Sequence, residues 1–250
     1  MINVLILAAG QSLADAPEGA YPLCLTEIGG VPLIERQINA CRSVDGARLI
    51  VAVSEPDMRR FSLGDVISLL APDAHVAPTR ETRGAACTAL LTLGQINTDD
   101  ELLILNGNEF LDIDFDAALA SFRSRKLDAG VVVFPSVHPR YSFVALDDDG
   151  YVVQATEKRP ISKNATAGFY WFARGSDFVA AVQNMIRKDA TVNGRFFICP
   201  SLNELVLKQA HIGVHPISAD KFHPLKNERQ VAQYENLVEP RRYDRLPLSA

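Results

Sequence analysis

Short apolar runs, each closed by a turn residue, recur along the first half of the chain. Val4–Ala8, Leu49–Val53, Leu102–Leu105 and Gly130–Phe134 are continuous and rich in branched side chains, as expected of strands covered on both faces. Between them, apolar residues return at helical spacing. Leu33, Ile34, Ile38 and Cys41 form one such set, Ala86, Leu90, Leu91 and Leu93 a second, and Ala118, Leu119 and Phe122 a shorter third. The alternation predicts an α/β fold with an open, mostly parallel sheet flanked by helices.

The second half has a different rhythm. Phe143–Leu146 and Tyr151–Ala155 flank Asp147-Asp148-Asp149-Gly150, whose Asp-Gly pair predicts a hairpin turn and a locally mixed sheet. A strand is expected at Gly168–Ala173. An amphipathic helix follows through Phe178, Val179, Val182, Met185 and Ile186. Leu202, Leu205 and Val206 mark another helix, and Ile212–Ile217 another strand. The expected organisation is one domain over residues 1–238, with halves at about 1–128 and 129–238. The remaining 239–250 have no apolar periodicity and are expected to form a flexible tail.

Composition narrows the function. At 250 residues, with 48% hydrophobic and 22% charged side chains, the chain is an ordinary globular one, which excludes disorder and coiled coil. A net charge of −5 and the lack of a dense basic block argue against nucleic acid as partner. Cys24, Cys41, Cys87 and Cys199 form no CxxC pair, so they are expected as buried reduced thiols of a cytoplasmic protein. No apolar run reaches the ~18 residues needed to span a membrane. The apolar start lacks a basic flank and runs into Gly10, so it reads as a first strand and not as a signal segment.

In such sheets ligands gather at the carboxyl ends of strands, and three segments there carry chemistry. Leu7-Ala8-Ala9-Gly10-Gln11-Ser12 is a strand entering a Gly turn, where backbone N–H groups can face phosphate oxygens. By itself such a segment is more often a structural turn, and the GxGxxG of dinucleotide sites is absent. Leu105-Asn106-Gly107-Asn108-Glu109-Phe110-Leu111-Asp112-Ile113-Asp114 ends a buried strand with polar groups. There Asn108 offers a neutral oxygen, and Asp112 and Asp114 offer carboxylates to a hard cation. Asp114 also stands where a helix N-cap is expected. Glu157-Lys158-Arg159-Pro160, followed by Asn164-Ala165-Thr166-Ala167-Gly168-Phe169-Tyr170, pairs an acceptor for sugar hydroxyls with an ammonium for phosphate. Its plain alternative is a solvated surface pair.

Together with YPLCL, TRGAACTAL, GSDFVAAVQNMI, VNGRFFICPSLNELV and FHPLKNERQV, these stretches resemble, in order over about residues 2–235, the sugar-phosphate nucleotidyltransferases. The likeness is greatest to the capsule-type sugar nucleotidyltransferases. The resemblance implies a glycosyltransferase A-like, Rossmann-type fold and transfer of a nucleotide from a triphosphate to a sugar phosphate with release of pyrophosphate. It places nucleotide contacts in the first half, on Leu7, Ala8, Ala9, Gly10, Gln11, Thr82, Gly84, Ala85, Asn106 and Gly107. Sugar-phosphate contacts fall in the second half, on Glu157, Lys158, Gly168 and Tyr170. It also implies Mg²⁺, for which Asn108 and Asp112 are the candidate positions.

The departures fall on one function. Where the family carries a loop Arg, a PK lysine and a metal-binding Asp, this chain has Leu13, Leu23 and Asn108, and Lys226-Asn227-Glu228 replaces the family's GTP. No catalytic residue can therefore be named. One reading is a relative with weak or lost catalysis in nucleotide-sugar and capsular polysaccharide synthesis. It would retain binding of a nucleotide, sugar phosphate or nucleotide sugar and act as a homo-oligomer or beside an active partner subunit. The alternative is an active enzyme with rebuilt phosphate chemistry, using Arg80, Arg83 or Asp112. A glycosyltransferase using Asp112-Ile113-Asp114 as a DxD metal motif fits the fold class but not the order of motifs.

Overall fold

The computed structural model describes residues 1–10 and 21–243. The first half comprises β1 (Ile2–Leu7), the β2 (Glu27–Ile28) and β3 (Val31–Pro32) hairpin, α1 (Leu33–Cys41), β4 (Ala47–Ser54), α2 (Glu55–Phe61), α3 (Leu63–Leu70) and β5 (His75–Thr79). It continues through α4 (Ala85–Leu90), α5 (Leu93–Ile96), β6 (Glu101–Asn106), β7 (Glu109–Leu111) and α6 (Phe115–Ser124). The second half begins with β8 (Ala129–Pro135), β9 (Ser142–Leu146), β10 (Val152–Glu157) and β11 (Asn164–Phe172). It ends with α7 (Gly175–Arg187), α8 (Ile198–Val206), β12 (Ile212–Pro216), β13 (Phe222–Pro224) and α9 (Glu228–Tyr243).

Nine of these strands form one sheet. Its path runs β10-β9-β11-β6-β1-β4-β5, with β8 beside β11 and β12 beside β8. β6, β1, β4 and β5 are mutually parallel, each reached by a helical crossover. β11 is antiparallel to both β6 and β8, which is where the mixed half joins the parallel one. The expected α/β architecture is thus observed.

Alternation along the strands explains why helices cover both faces. Val4 and Ile6 of β1, with Leu103 and Leu105 of β6, pack toward α1, α3 and α6. Leu5, Leu7, Leu102 and Ile104 pack toward α4, α7 and α8. In β11, Phe169 and Trp171 join the first layer, Tyr170 and Phe172 the second. Each large aromatic buried this way contributes on the order of 3 kcal/mol. A third, small cluster of Leu23, Ile28, Leu33, Leu225, Val231 and Tyr234 ties the β2–β3 hairpin to α9. That cluster brings the residues after β13 back toward the start of the chain.

Several expectations are corrected. The apolar set Ala86, Leu90, Leu91, Leu93 is not one helix: the chain breaks at Leu91-Thr92, and Leu91 and Leu93 are exposed. The strand expected at Gly168–Ala173 begins earlier, at Asn164, and its pairing with β8 shifts register between Thr166 and Tyr170. The last helix, α9, continues to Tyr243. The Asp147 turn is as expected. Its carboxylate accepts from the N–H groups of Asp149 (3.1 Å) and Tyr151 (2.8 Å), closing the β9–β10 hairpin. Among the described residues no helix is long and apolar enough to cross a membrane.

Candidate functional site

A cavity of about 440 Å³ opens at the carboxyl ends of β1, β6 and β10, within the usual size of a small-ligand site. The three segments singled out in the sequence meet there. Leu7, Ala8, Ala9 and Gly10 form one wall, Asn106, Gly107 and Asn108 lie beside them, and Thr82, Gly84 and Ala85 line the approach. Glu157, Lys158 and Tyr170 face them from the second half. Leu23 also lines the cavity, as an almost fully buried apolar side chain. Gln11 and Leu13 lie outside the described residues.

Local chemistry sets this geometry. The Gly107 N–H donates to Leu7 O (3.0 Å), and a Cβ at residue 107 would stand 2.3 Å from that oxygen. Glycine here lets the end of β6 lie directly against the end of β1. From α1, the buried Gln37 donates to Asn106 O (3.2 Å) and Glu109 O (3.1 Å), pinning the turn that follows. Thr82 Oγ1 bonds Gly84 O (3.1 Å) and the Thr88 hydroxyl (2.7 Å), fixing the loop that enters α4.

Glu157 ends β10 under the cavity and accepts from the Ser142 hydroxyl. Burial pushes its carboxyl above the usual range, against the opposing pull of Ser142, Lys158 and Lys226. Lys158 stands in a left-handed conformation (φ 56°), an arrangement a non-glycine residue adopts at a cost of about 1–3 kcal/mol. Its backbone N–H is held by Tyr141 O (3.0 Å), and its ammonium lies over the Phe197 ring at 5.4 Å. The Tyr170 hydroxyl is buried against Thr166 Oγ1 (2.8 Å), and burial raises its pKa well above normal.

Cys24 and Cys199 reach the cavity, but burial holds the first thiol at about 12 and the second higher still. They remain protonated at neutral pH and do not serve as nucleophiles. Cys41, also held at about 12, lies in the core.

Glu109 was not singled out in the sequence, yet it is the carboxylate on the cavity floor. Its side chain is only 7% exposed, with Oε1 at 3.1 Å from the Lys226 ammonium and Oε2 accepting from Asn106 Nδ2 at 2.9 Å. Gly168 explains how it fits. A Cβ at residue 168 would lie 1.9 Å from Glu109 Oε2, and the backbone there has φ +70°. Gly168 therefore sits behind Glu109 and makes room for it; it does not offer its backbone to a ligand ring. Gly168→Ala is expected to destabilise the fold by about 2–4 kcal/mol, from left-handed strain plus displacement of a buried charge. Chemical denaturation measures this, and a loss below about 1 kcal/mol would mean that Glu109 moves aside at little cost.

Other candidates are turned elsewhere. Asp112 is not on the cavity wall and faces Lys221 at 3.4 Å. Asp114 caps α6, accepting from Ala117 N at 3.1 Å. Arg80 lines the cavity mouth and pairs with Glu55 at 3.5 Å, whereas Arg83 lies 3.5 Å from Asp189 and over the Phe196 ring. Arg140 and Arg195, which the sequence reading did not select, also line the cavity.

The described residues do not fit the implied magnesium ion. Magnesium at a phosphate site is held by one or two carboxylates, with waters and substrate phosphates completing its shell. Here Asn108 offers an amide, both Glu109 oxygens are engaged, Asp112 points away, and Glu157 is held by Ser142 and disfavoured as an anion by burial. Among the described residues no group of three acidic, His or Cys side chains is placed to hold a metal.

Comparison with known proteins places the fold and the family. The chain is 24% identical over 194 residues to the bifunctional protein GlmU of Leifsonia xyli, an alignment covering 72% of this chain and 39% of that protein. It thus spans about two fifths of that relative's length. The crystal structure of a nucleoside-diphosphate-sugar pyrophosphorylase from Vibrio cholerae superposes with TM-score 0.77 at 21% identity, covering 94% of this chain and 100% of the other. A Bacillus anthracis structure, described as a glucose-1-phosphate thymidylyltransferase in complex with a sucrose, gives 0.75 at 17% identity, covering 100% and 98%. At these identities the two structures show that the fold is shared. The nucleotidyl transferase family profile matches residues 5–194, which hold the β1 turn, the end of β6 and the Glu157–Lys158 wall, and the chain belongs to that family.

Proposed function

We propose that this member of the family binds a nucleoside monophosphate, a sugar phosphate or a nucleotide sugar in the central cavity, and that its transfer chemistry is weak or lost. Its setting would be nucleotide-sugar and capsular polysaccharide synthesis in the cytoplasm, as a homo-oligomer or beside an active partner subunit. The observation that supports this reading is the charge along the cavity wall. Arg80, Arg140, Lys158, Arg195 and Lys226 face Glu81, Glu109 and Glu157, a small cationic excess in which Leu23 stands as an apolar gap.

A phosphate monoester carries about −1.5 to −2 at neutral pH, which such an excess can balance. A triphosphate carries more charge. Where cations are missing, stripping water from it costs several kcal/mol that nothing returns. In this reading Leu7, Ala8, Ala9, Gly10, Gln11, Thr82, Gly84, Ala85, Asn106 and Gly107 take the nucleotide side. Glu157 takes sugar hydroxyls, Lys158 the sugar phosphate, and Tyr170 supports them from below.

The exposed Arg80, with Arg140 and Arg195, favours a second reading: an active enzyme that neutralises the triphosphate with different cations. Calorimetry with UMP and glucose 1-phosphate as probes tests the binding site itself. Lys158→Ala is expected to weaken the sugar phosphate by about 1–3 kcal/mol, the loss of a charged hydrogen-bond partner. Indifference to that change would contradict the assignment of Lys158.

A further inference from the structure

We infer that Lys226 is a built-in cation of this site: held by Glu109 across the cavity floor, it receives a phosphate group without any divalent ion. The inference deepens the binding reading above and rests on it.

The geometry has three parts. First, Glu109 is a rigid, buried anchor, set by Asn106 on one oxygen and by the empty space at Gly168 behind it. Second, the Lys226 ammonium is 3.1 Å from the other oxygen, and the Lys226 side chain lines the cavity and is 41% exposed. An ammonium has three donors, and the described residues use one of them, on Glu109. Third, the backbone beneath Lys226 is tied to the same floor. Leu225 N–H donates to Asn108 O (3.0 Å), the Lys226 N–H donates to Gln230 Oε1 of α9 (2.8 Å), and Leu225 is fully buried.

Sequence and structure converge on this position. Lys226 opens the Lys-Asn-Glu that stands where the family has GTP, and it approaches the turn that carries Asn108 in place of the metal carboxylate. The amide and the lysine are complementary changes. One removes the charge that would attract a divalent ion, and the other brings a fixed positive charge to the same floor. Lys226 also acts electrostatically on Glu157, which places its charge within reach of the sugar side as well as the β6 turn.

A plainer role is neutralisation of the buried Glu109 and nothing more. The two roles separate in a pair of variants read by both thermal unfolding and binding. The probe is inorganic phosphate, the group shared by every proposed ligand, titrated into the full chain by phosphorus NMR with and without Mg²⁺. The wild type is expected to bind phosphate with an affinity that Mg²⁺ leaves unchanged. Lys226→Met should weaken phosphate about tenfold or more, as expected for loss of a charge-assisted hydrogen bond, and lower the melting temperature by stranding Glu109. Lys226→Met combined with Glu109→Gln removes both charges. It should recover the melting temperature but not the phosphate affinity, whereas Lys226→Arg should keep both.

Recovery of phosphate affinity in the double variant, or wild-type affinity in Lys226→Met, would overturn the proposal. So would phosphate binding in the wild type that strengthens tenfold with Mg²⁺. Wild-type protein that binds neither phosphate, UMP nor glucose 1-phosphate would instead overturn the binding reading on which it rests, and the proposal with it.

Discussion

Purified protein supplied with a nucleoside triphosphate, a sugar 1-phosphate and Mg²⁺ is expected to release pyrophosphate at well below about 1 s⁻¹, the low end of ordinary enzyme turnover. The reaction is an in-line displacement at the α-phosphorus, in which the protein contributes positioning and neutralisation of charge. One transition-state cation is worth about 10³–10⁵ in rate. The resemblance places the family's lysine at Leu23, which is apolar, buried and on the cavity wall. The resemblance places the metal carboxylate at Asn108, an amide, and the nearby Glu109 is engaged by Lys226 and Asn106. On the proposed reading, the loss of two such contributions would leave little of the acceleration, even with the substrates correctly seated. A pyrophosphate assay across all common triphosphates and several sugar phosphates checks this, and turnover at about 1 s⁻¹ or above with any pair would establish the second reading.

Repair should be possible in part, and should be cooperative. Leu23→Lys with Asn108→Asp is expected to raise any residual rate by more than the product of the two single effects. Both groups act on one cluster of phosphate oxygens, and neighbours of that kind are not additive. On the scale of a single transition-state cation, a successful double change is worth at least about tenfold beyond that product. The gain should fall short of an intact enzyme, because Lys226 still occupies Glu109. Strictly additive or absent gains would mean that the cavity no longer aligns the two substrates.

The central strands were readable because burial on both faces leaves an uninterrupted apolar run. β1, β4, β6 and β8 all carry one. β5 was missed for the opposite reason. His75-Val-Ala-Pro-Thr79 is an edge strand with an exposed His and Pro, and its pattern looks like a loop. Leu91 and Leu93 misled because exposed leucines at helical spacing mimic a core face. Asp114 was legible as a cap, because capping is local and depends on a side chain three residues from its donor.

At the site, the sequence pointed to segments more accurately than to roles. Glu157, Lys158, Asn106 and the β1 turn all reach one cavity, since strand ends in a parallel sheet converge whatever their side chains do. Gly168 was expected to admit a ligand and instead admits Glu109. Nothing near Gly168 in the sequence announces a carboxylate that arrives from another strand. The Glu109–Lys226 pair is hidden for the same reason, as its members lie in β7 and beyond β13, which pair only in the fold. A glutamate beginning a short strand after a buried one, with a lone lysine at a position where the family has glycine, was the available signal.

On the proposed reading the cavity is matched to one phosphate group and not to a triphosphate with its metal. Calorimetric titration of the wild type with UMP and UTP, each with and without Mg²⁺, tests it most directly. UMP is expected to bind more tightly than UTP, with Mg²⁺ changing neither affinity by more than about twofold, well under the 1.4 kcal/mol of a tenfold shift. UTP binding that is tighter than UMP binding and rises with Mg²⁺ would contradict it.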